Sequence, residues 1–353
     1  MTHRENRNLA LIMAGGQGTR FWPYSTARKP KQFLQVVGTE RLITQTYRRV
    51  ENFLPRENIY IVADSCYLDL IRESIPGFDR DHLIAEPAPR NTAPCMILAN
   101  VVLQEKWGEA ANLLVMPADH YITEEKIFAR QMSAAFRYAK HPGIITFGIP
   151  PHCPHTGYGY IRFDPGVWDT LGEEDFYPVR EFTEKPELNR ARKYIADGGY
   201  LWNAGIFVYR LGIFHEMLSR YAPYYAEKYR ELEKAGGGDS LNGIYRGIKP
   251  QSIDYALLEK AREIRVCKAK YFWNDVGAWS SVYELEKKDR RGNVNRGEKT
   301  VFLETQNSLV FSTQDKPIAL IGLENIAVIN TENGILVSDL GQVQKIREVL
   351  KKI

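Results

Sequence analysis

The chain has 353 residues, of which 44% are hydrophobic and 25% are charged, and its formal net charge is +4 at pH 7. This composition is ordinary for a globular protein, and the length allows one large core or two domains. The small basic excess does not favour a nucleic-acid partner, which would require a basic stripe or tail.

The sequence contains no long apolar span and no signal-peptide pattern, so we expect no membrane partner. The cysteines are far apart and form no CxxC pair, which indicates reduced thiols and a cytoplasmic location. They are Cys66, Cys95, Cys153 and Cys267.

Short apolar runs alternate with helical patterns over the first 150 or so residues. Strands are predicted at 9–14, 58–63, 82–86, 112–116 and 143–148, and helices at 41–54 and 92–107. This alternation predicts a doubly wound α/β domain with a mostly parallel, Rossmann-like sheet. Ligands of such sheets bind beyond the carboxyl ends of the strands, so functional residues are expected directly after them.

From about 158 to 287 strands mix with helices, which are predicted at 187–197 and 252–262. The composition of AGGGDSLNG at 235–243 predicts an exposed loop. Short strands separated by turn residues follow Arg291, and a helix is predicted at 341–351. We therefore predict one domain over 1–290 and a small C-terminal β domain, solenoid-like in pattern, over 295–353.

The first strand runs into a glycine-rich turn in LALIMAGGQGTRFWPYSTARKPKQFL (9–34). The Walker pattern is absent, and Phe21 stands where a dinucleotide-binding turn would have its third glycine. Glycines nevertheless let backbone N–H groups approach an anion, and Arg20 and Lys31 could bind phosphate oxygens. The alternative is a plain turn whose cations face solvent. The glycines are Gly15, Gly16 and Gly18.

The order GGxGTRFWPxS…PKQF resembles the signature of sugar-1-phosphate nucleotidyltransferases, in the variant typical of mannose-1-phosphate guanylyltransferases. Further motifs of this family follow in register over roughly 300 residues. They are AEPAPRNTAP (85–94), VMPADHYI (115–122), TGYGYI (156–161), EFTEKP (181–186), WNAGIF (202–207), SIDYALLEK (252–260) and WNDVGAWSS (273–281). The resemblance implies transfer of GMP from GTP to α-D-mannose 1-phosphate, giving GDP-mannose and pyrophosphate.

This reaction needs no general base, because the attacking sugar phosphate is already an anion. It is a direct in-line attack without a covalent intermediate, in which the protein aligns charged substrates and neutralises charge. The resemblance implies that Asp119 and Asp275 hold Mg²⁺, which prefers carboxylate and phosphate oxygens. A lone aspartate after a strand is otherwise often a cap or turn residue. The expected catalytic residues are Arg20, Lys31, Asp119 and Asp275.

The same resemblance implies two groups of binding residues. Glu86 is the only acid in 85–94, and its carboxylate could accept both N1–H and the 2-amino group of guanine. The alternative is that Glu86 only caps the turn and that backbone groups near Asn91 read the base. GTP is expected at Gly15, Gly16, Gly18, Thr19, Arg20, Glu86, Asn91, Thr92 and Asp119. The sugar phosphate is expected at Gly159, Glu184, Lys185, Asn203 and Asp254, each of which, taken alone, could be a turn residue, a surface charge or a helix cap.

Two other functions stay open from the residues alone. One is guanylyl transfer to another sugar 1-phosphate, such as a manno-heptose or glucose derivative. The other is a non-catalytic subunit that senses nucleotide sugars, although such a subunit would not need the intact metal ligands. Some relatives carry a phosphomannose isomerase, which we do not expect here because no histidine follows His215. A homodimer through the C-terminal domain is also open.

Overall fold

The computed structural model describes residues 7–16 and 18–352. Its strands are, in chain order, β1 (Asn8–Met13), β2 (Ile59–Ala63), β3 (Leu83–Ala85), β4 (Asn112–Pro117), β5 (Tyr121–Ile122), β6 (Ile144–Ile149), β7 (Tyr160–Phe163), β8 (Asp169–Leu171), β9 (Glu174–Thr183), β10 (Tyr200–Arg210), β11 (Ile264–Lys268), β12 (Trp273–Asn274), β13 (Val294–Arg296), β14 (Thr300–Leu303), β15 (Leu309–Ser312), β16 (Ile318–Ile321), β17 (Ile326–Thr331) and β18 (Gly334–Asp339). Its α-helices are α1 (Leu42–Glu51), α2 (Leu68–Ser74), α3 (Thr92–Trp107), α4 (Glu125–Tyr138), α5 (Leu188–Asp197), α6 (Leu211–Tyr221), α7 (Pro223–Ala235), α8 (Gly238–Gly247), α9 (Trp279–Leu285) and α10 (Ile346–Val349).

The chain folds into two compact units, each built from separate stretches of sequence. The first unit contains the described part of Met1–Gly15 together with Tyr47–Ala118 and Ile122–Trp273. The second contains the described parts of Gly16–Thr46 and Asn274–Ile353 together with Asp119–Tyr121. These units group residues by packing, because apolar side chains of the glycine-rich segment share a core with the C-terminal strands. The sequence domains over 1–290 and 295–353 stay predictions.

The first unit is organised around one large mixed sheet with the strand order β3-β2-β1-β4-β10-β6-β11-β9-β7. The four strands β3, β2, β1 and β4 pair in parallel. Leu9 to Ile12 of β1 are fully buried, as expected for a strand covered by helices on both faces. The doubly wound α/β class is confirmed, and antiparallel pairing begins at β10, which runs against both β4 and β6.

Two helices of this unit differ from the sequence predictions. Helix α8 begins inside 235–243, which was predicted to be an exposed loop, and its Tyr245 is fully buried. Tertiary packing of one aromatic side chain here outweighs a glycine-rich composition. The helix predicted over 252–262 is reduced to a five-residue π-helical segment, Asp254–Leu258.

The second unit contains a short parallel β-solenoid, as predicted. Strand β15 pairs in parallel with β13 and β17, and β14 pairs in parallel with β16. Leu309 lies opposite Ala327 and Thr300 opposite Ile318, so successive coils stack in register. The predicted terminal helix is present as a 3₁₀ segment, Leu340–Lys345, followed by α10.

The solenoid shares its core with the segments that surround the glycine-rich turn. Phe21 and Leu34 belong to the same buried cluster as Trp279, Leu309 and Ile329.

In both units, the helices formed by described residues are too short or too polar to cross a membrane.

Candidate functional site

The glycine-rich turn that follows β1 lines a pocket of about 410 Å³ in the second unit. Gly18 has a φ of 61°, and a Cβ placed on it would lie 2.2 Å from Cβ of Lys31. Only glycine therefore lets the turn close against Lys31. The pocket is lined by Gly16, Gly18, Thr19, Arg20, Phe21, Lys31, Asp119, Gly277 and Arg347.

Lys31 connects the two residues that were expected to hold the metal. Its Nζ lies 2.8 Å from Oδ2 of Asp119 and donates a hydrogen bond of 2.6 Å to the backbone oxygen of Asp275. The lysine side chain is only 8% exposed. Burial acts to raise the pKa of Asp119, but the charges of Lys31 and His120 outweigh it and hold that pKa below its ordinary value. Asp119 is therefore an anion at neutral pH.

The carboxylates of this unit fit a divalent cation that also binds phosphate. The carboxyl group of Asp275 lies over Gly277, where its Oδ2 is 2.9 Å from the position that a Cβ would take. Among the described residues, no cluster of three or more His, Cys, Asp and Glu side chains could enclose a metal. Mg²⁺ is commonly bound by one or two carboxylates, water and substrate phosphates, which matches Asp119 and Asp275.

The pocket lining carries more positive than negative charge. Arg20 points its guanidinium towards the C-terminal segment, where Nη1 lies 3.5 Å from Oε1 of Gln344. Arg347, which was not predicted as a site residue, lines the same pocket. The described residues that line the pocket thus include three cations, Arg20, Lys31 and Arg347, and one carboxylate, that of Asp119. Such a surface attracts a polyphosphate.

Glu86 lies in the first unit, directly after β3, and is 8% exposed. Its Oε1 accepts a hydrogen bond of 2.6 Å from the hydroxyl of Tyr245, and the backbone N–H of Arg90 is 3.5 Å away. Its Oε2 lies 3.1 Å from the position that a Cβ on Gly15 would take. Burial raises the pKa of Glu86, although the hydrogen bond from Tyr245 opposes the shift. The carboxylate is thus held in one orientation.

Asn91 and Thr92 both make contacts that shape the backbone after Glu86. Asn91 has a φ of 69°, and its Oδ1 accepts a hydrogen bond of 2.8 Å from the N–H of Thr92. Oγ1 of Thr92 accepts one of 2.8 Å from the N–H of Ile253. These side chains start α3 and hold the segment that precedes Asp254, and their contacts with GTP stay predictions.

The residues expected to bind the sugar phosphate lie together in the first unit. A Cβ on Gly159 would lie 2.6 Å from Oε2 of Glu184 and 3.3 Å from Cβ of Asn203. Nδ2 of Asn203 donates to Oδ1 of Asp254 at 3.2 Å, and Lys185 pairs with Glu184. The structure therefore brings these five residues into one polar cluster.

The electrostatics of this cluster are unusual for acidic side chains. Burial, followed by the charge of Glu184, raises the pKa of Asp254 to about 7. Lys185 has a φ of 47°, a backbone conformation that such residues adopt rarely. Asp254 begins the π-helical segment, a feature that often marks functional sites. The cluster can accept and donate hydrogen bonds to hydroxyl groups and can neutralise a phosphate through Lys185.

Sequence reasoning missed three side chains at these sites. Tyr245 fixes Glu86, Arg347 lines the pocket around Arg20, and Thr146 donates a hydrogen bond of 3.0 Å to Oδ1 of Asn203. Tyr245 and Arg347 lie in segments without a recognisable motif. Thr146 offered a weak signal, since it is a polar residue within an otherwise apolar strand.

The chain is similar to known proteins over nearly its whole length. The family model described as nucleotidyl transferase matches residues 9–292, and a MannoseP isomerase/GMP-like beta-helix domain matches residues 298–353. The chain is 33% identical to a mannose-1-phosphate guanylyltransferase of Escherichia coli, over 98% of this chain and 75% of that protein. It is 34% identical to the alginate biosynthesis protein AlgA of Pseudomonas aeruginosa, over 98% of this chain and 72% of that protein.

A solved structure covers nearly the whole fold. The crystal structure of a protein named mannose-1-phosphate geranyltransferase, from Thermus thermophilus, matches with a TM-score of 0.87 and 30% identity. The match covers 98% of this chain and 99% of that one. Since the nucleotidyl transferase model matches residues 9–292 and relatives at 33% identity match over 98% of this chain, the chain is an enzyme that belongs to the mannose-1-phosphate guanylyltransferase family of nucleotidyltransferases.

Proposed function

We propose that this enzyme transfers GMP from GTP to α-D-mannose 1-phosphate and releases GDP-mannose and pyrophosphate. The contact that carries the proposal is the one between Lys31 and the two aspartates, because it gathers a cation and two potential metal ligands beside a glycine-lined pocket. The names of the relatives support mannose 1-phosphate as the acceptor.

In this proposal the second unit binds the triphosphate of GTP. Backbone groups at Gly16 and Gly18 and the guanidinium of Arg20 bind phosphate oxygens. Lys31 keeps Asp119 ionised and neutralises charge as the phosphoryl group transfers. Bound Mg²⁺, held by Asp119 and Asp275, would supply further neutralisation of the triphosphate.

Residues of the first unit select the substrates. Glu86 accepts hydrogen bonds from N1–H and the 2-amino group of guanine, a donor pair that adenine lacks. Lys185 binds the phosphate of the sugar, and Asn203 binds its hydroxyl groups through Nδ2. The attacking oxygen is an anion, so no residue needs to remove a proton, and the attack is in line without a covalent intermediate.

The test is pyrophosphate release from GTP or ATP in the presence of Mg²⁺ and a panel of hexose 1-phosphates. Mannose 1-phosphate with GTP should give the highest kcat/KM. A higher value with glucose or manno-heptose 1-phosphate would replace the sugar assignment. Absence of release with every pair would favour a non-catalytic sensor of nucleotide sugars.

We also propose that two copies associate through the C-terminal solenoid. Apolar side chains on β14 and β16, which pair with each other, are 54–64% exposed, and such a surface is typical of an interface. They are Val301, Leu303 and Ile321. Sedimentation should give the mass of a dimer for the unmodified chain and that of a monomer for Ile321→Lys; a monomeric unmodified chain would contradict the proposal.

A further inference from the structure

Arg347 presents a charge to the pocket that no described residue balances. It lies on α10 and lines the pocket together with Gly16, Gly18 and Arg20. Among residues 7–16 and 18–352, no carboxylate forms an ion pair with Arg347. Of the described lining residues, Asp119 alone is acidic, and it is already paired with Lys31. Within the described part of the chain, Arg20 and Arg347 therefore lack a counter-ion.

The two guanidinium groups also act on each other. Burial, followed by the positive charge of Arg20, holds the pKa of Arg347 below its ordinary value. Two like charges on one concave surface repel each other, and this repulsion destabilises the folded protein unless an anion binds between them. Gly16, which lines the same pocket, leaves room for such an anion, because a Cβ on it would meet nothing within 4 Å.

The backbone that carries Arg347 is anchored. Ile346, its neighbour, is 2% exposed, and Val343 one turn earlier is 1% exposed, both within the core of the second unit. Gln344, between them, contacts Arg20 through its Oε1. The C-terminal segment therefore holds two polar side chains at the pocket from a fixed base.

We infer that Arg347 binds the pyrophosphoryl group, that is, the β- and γ-phosphates of the nucleoside triphosphate and free pyrophosphate. This inference rests on the proposed function for the identity of the triphosphate. A planar guanidinium matches two phosphate oxygens at once, and two unpaired arginines suit a group that carries several negative charges. The C-terminal module thereby takes part in binding the leaving group.

The experiment compares Arg347→Gln with the unmodified enzyme. Lys351→Gln is the matched control, because it removes one positive charge from the same segment at a residue that does not line the pocket. Calorimetry with Mg²⁺ and inorganic pyrophosphate gives Kd, and pyrophosphorolysis of GDP-mannose gives KM for pyrophosphate. GDP-mannose is the reference ligand, because its two phosphates are the α-phosphate of the nucleotide and the phosphate of the sugar. It therefore leaves the proposed site of the β- and γ-phosphates empty.

We expect Kd for pyrophosphate to rise about tenfold in Arg347→Gln, less at high salt, as for an exposed charge-assisted contact. In Arg347→Gln, Kd for GDP-mannose should stay within about twofold of its value in the unmodified enzyme. In Lys351→Gln, Kd for pyrophosphate and Kd for GDP-mannose should both stay within this range. Arg347→Lys should recover part of the affinity, because the charge remains without the fork.

Three results would overturn the inference. They are an unchanged Kd for pyrophosphate in Arg347→Gln, equal weakening in Lys351→Gln, and no pyrophosphate binding by the unmodified protein. The proposed function is tested separately, because pyrophosphate binding requires neither guanine nor mannose. An enzyme that used another sugar but lost pyrophosphate affinity in Arg347→Gln would contradict the proposed function alone.

Discussion

The hydroxyl of Tyr245 donates a hydrogen bond of 2.6 Å to Oε1 of Glu86, and both side chains are buried. Helix α8 supplies a second contact to the same segment, since Nε of Arg246 lies 3.4 Å from the backbone oxygen of Pro87. The carboxylate proposed to read guanine is therefore held by a helix whose first residues, 238–243, were predicted to be part of an exposed loop.

Glu86→Gln should reduce the preference for GTP over ATP. The amide keeps one acceptor and places a donor against a donor of guanine, a buried mismatch that costs roughly 1–3 kcal/mol, or about 5–150-fold in selectivity. The measurement is kcat/KM for both nucleotides. An unchanged ratio in a folded variant would mean that Glu86 does not read the base.

Tyr245→Phe should change the pH dependence of GTP use. The hydrogen bond from Tyr245 lowers the pKa of Glu86 against the larger effect of burial, so its loss should raise that pKa further. If the ionised carboxylate binds guanine, kcat/KM for GTP is lost as pH falls through this pKa, and the acidic limb should move to higher pH.

The matched control for this change is Tyr229→Phe, which removes a hydroxyl bonded to Asn100 and Gln104 elsewhere in the first unit. It should leave the profile in place, and KM for the sugar phosphate should be unaltered in both variants. A profile that does not move in Tyr245→Phe would show that this hydroxyl does not tune Glu86.

Arg20→Ala should lower kcat more than it weakens GTP binding, because its charge matters most while the α-phosphoryl group transfers. Lys31→Ala should act in the same way but less severely. Steady-state kinetics with calorimetric GTP affinities separates the two effects. If only the GTP affinity changed, Arg20 would stabilise bound GTP and not the transition state, which would contradict this prediction.

Asp275→Asn keeps the size of the side chain and removes the charge proposed to hold Mg²⁺. Turnover should fall at least ~100-fold, which corresponds to a few kcal/mol of transition-state stabilisation. Circular dichroism should show a folded variant. Near-normal turnover at limiting Mg²⁺ would remove Asp275 from the metal site.

Gly18→Ala should disrupt the pocket, because the new Cβ would lie 2.2 Å from Cβ of Lys31 in a backbone conformation with positive φ. Gly16→Ala is the matched control for folding, since its Cβ would have open space. Thermal unfolding should give a lower Tm for Gly18→Ala only. Equal Tm values would mean that the turn does not need glycine at this position.

The doubly wound class was predictable from the sequence because strand and helix periods alternate cleanly before residue 150. Strand β1 illustrates this: an apolar run of strand length, bounded by polar residues and glycine, is buried on both faces. The glycine-rich turn could be assigned for the same reason, since its spacing is local. The residues proposed to bind the sugar phosphate were predicted from motifs, and the structure places them together.

The remaining features depend on contacts between distant residues. Nothing near Tyr245 in the sequence indicates that a buried carboxylate 159 positions away accepts its hydrogen bond. The grouping of the glycine-rich segment with the solenoid also leaves no local signal, because it depends on which apolar side chains meet in a shared core. Only this grouping shows that Arg347 lines the pocket.

The second unit also constrains when the enzyme can become active during its synthesis. Oγ1 of Thr331 donates a hydrogen bond of 3.1 Å to the backbone oxygen of Pro23, which lies 308 positions earlier in the chain. At ordinary rates of translation, about 15–60 s pass between the synthesis of Pro23 and that of Thr331. During that interval Phe21 and Leu34 have no core to enter, so the nascent chain offers an apolar surface to chaperones. The pocket proposed to bind the nucleotide is thus completed among the last events of biosynthesis, although its signature sequence is synthesised among the first.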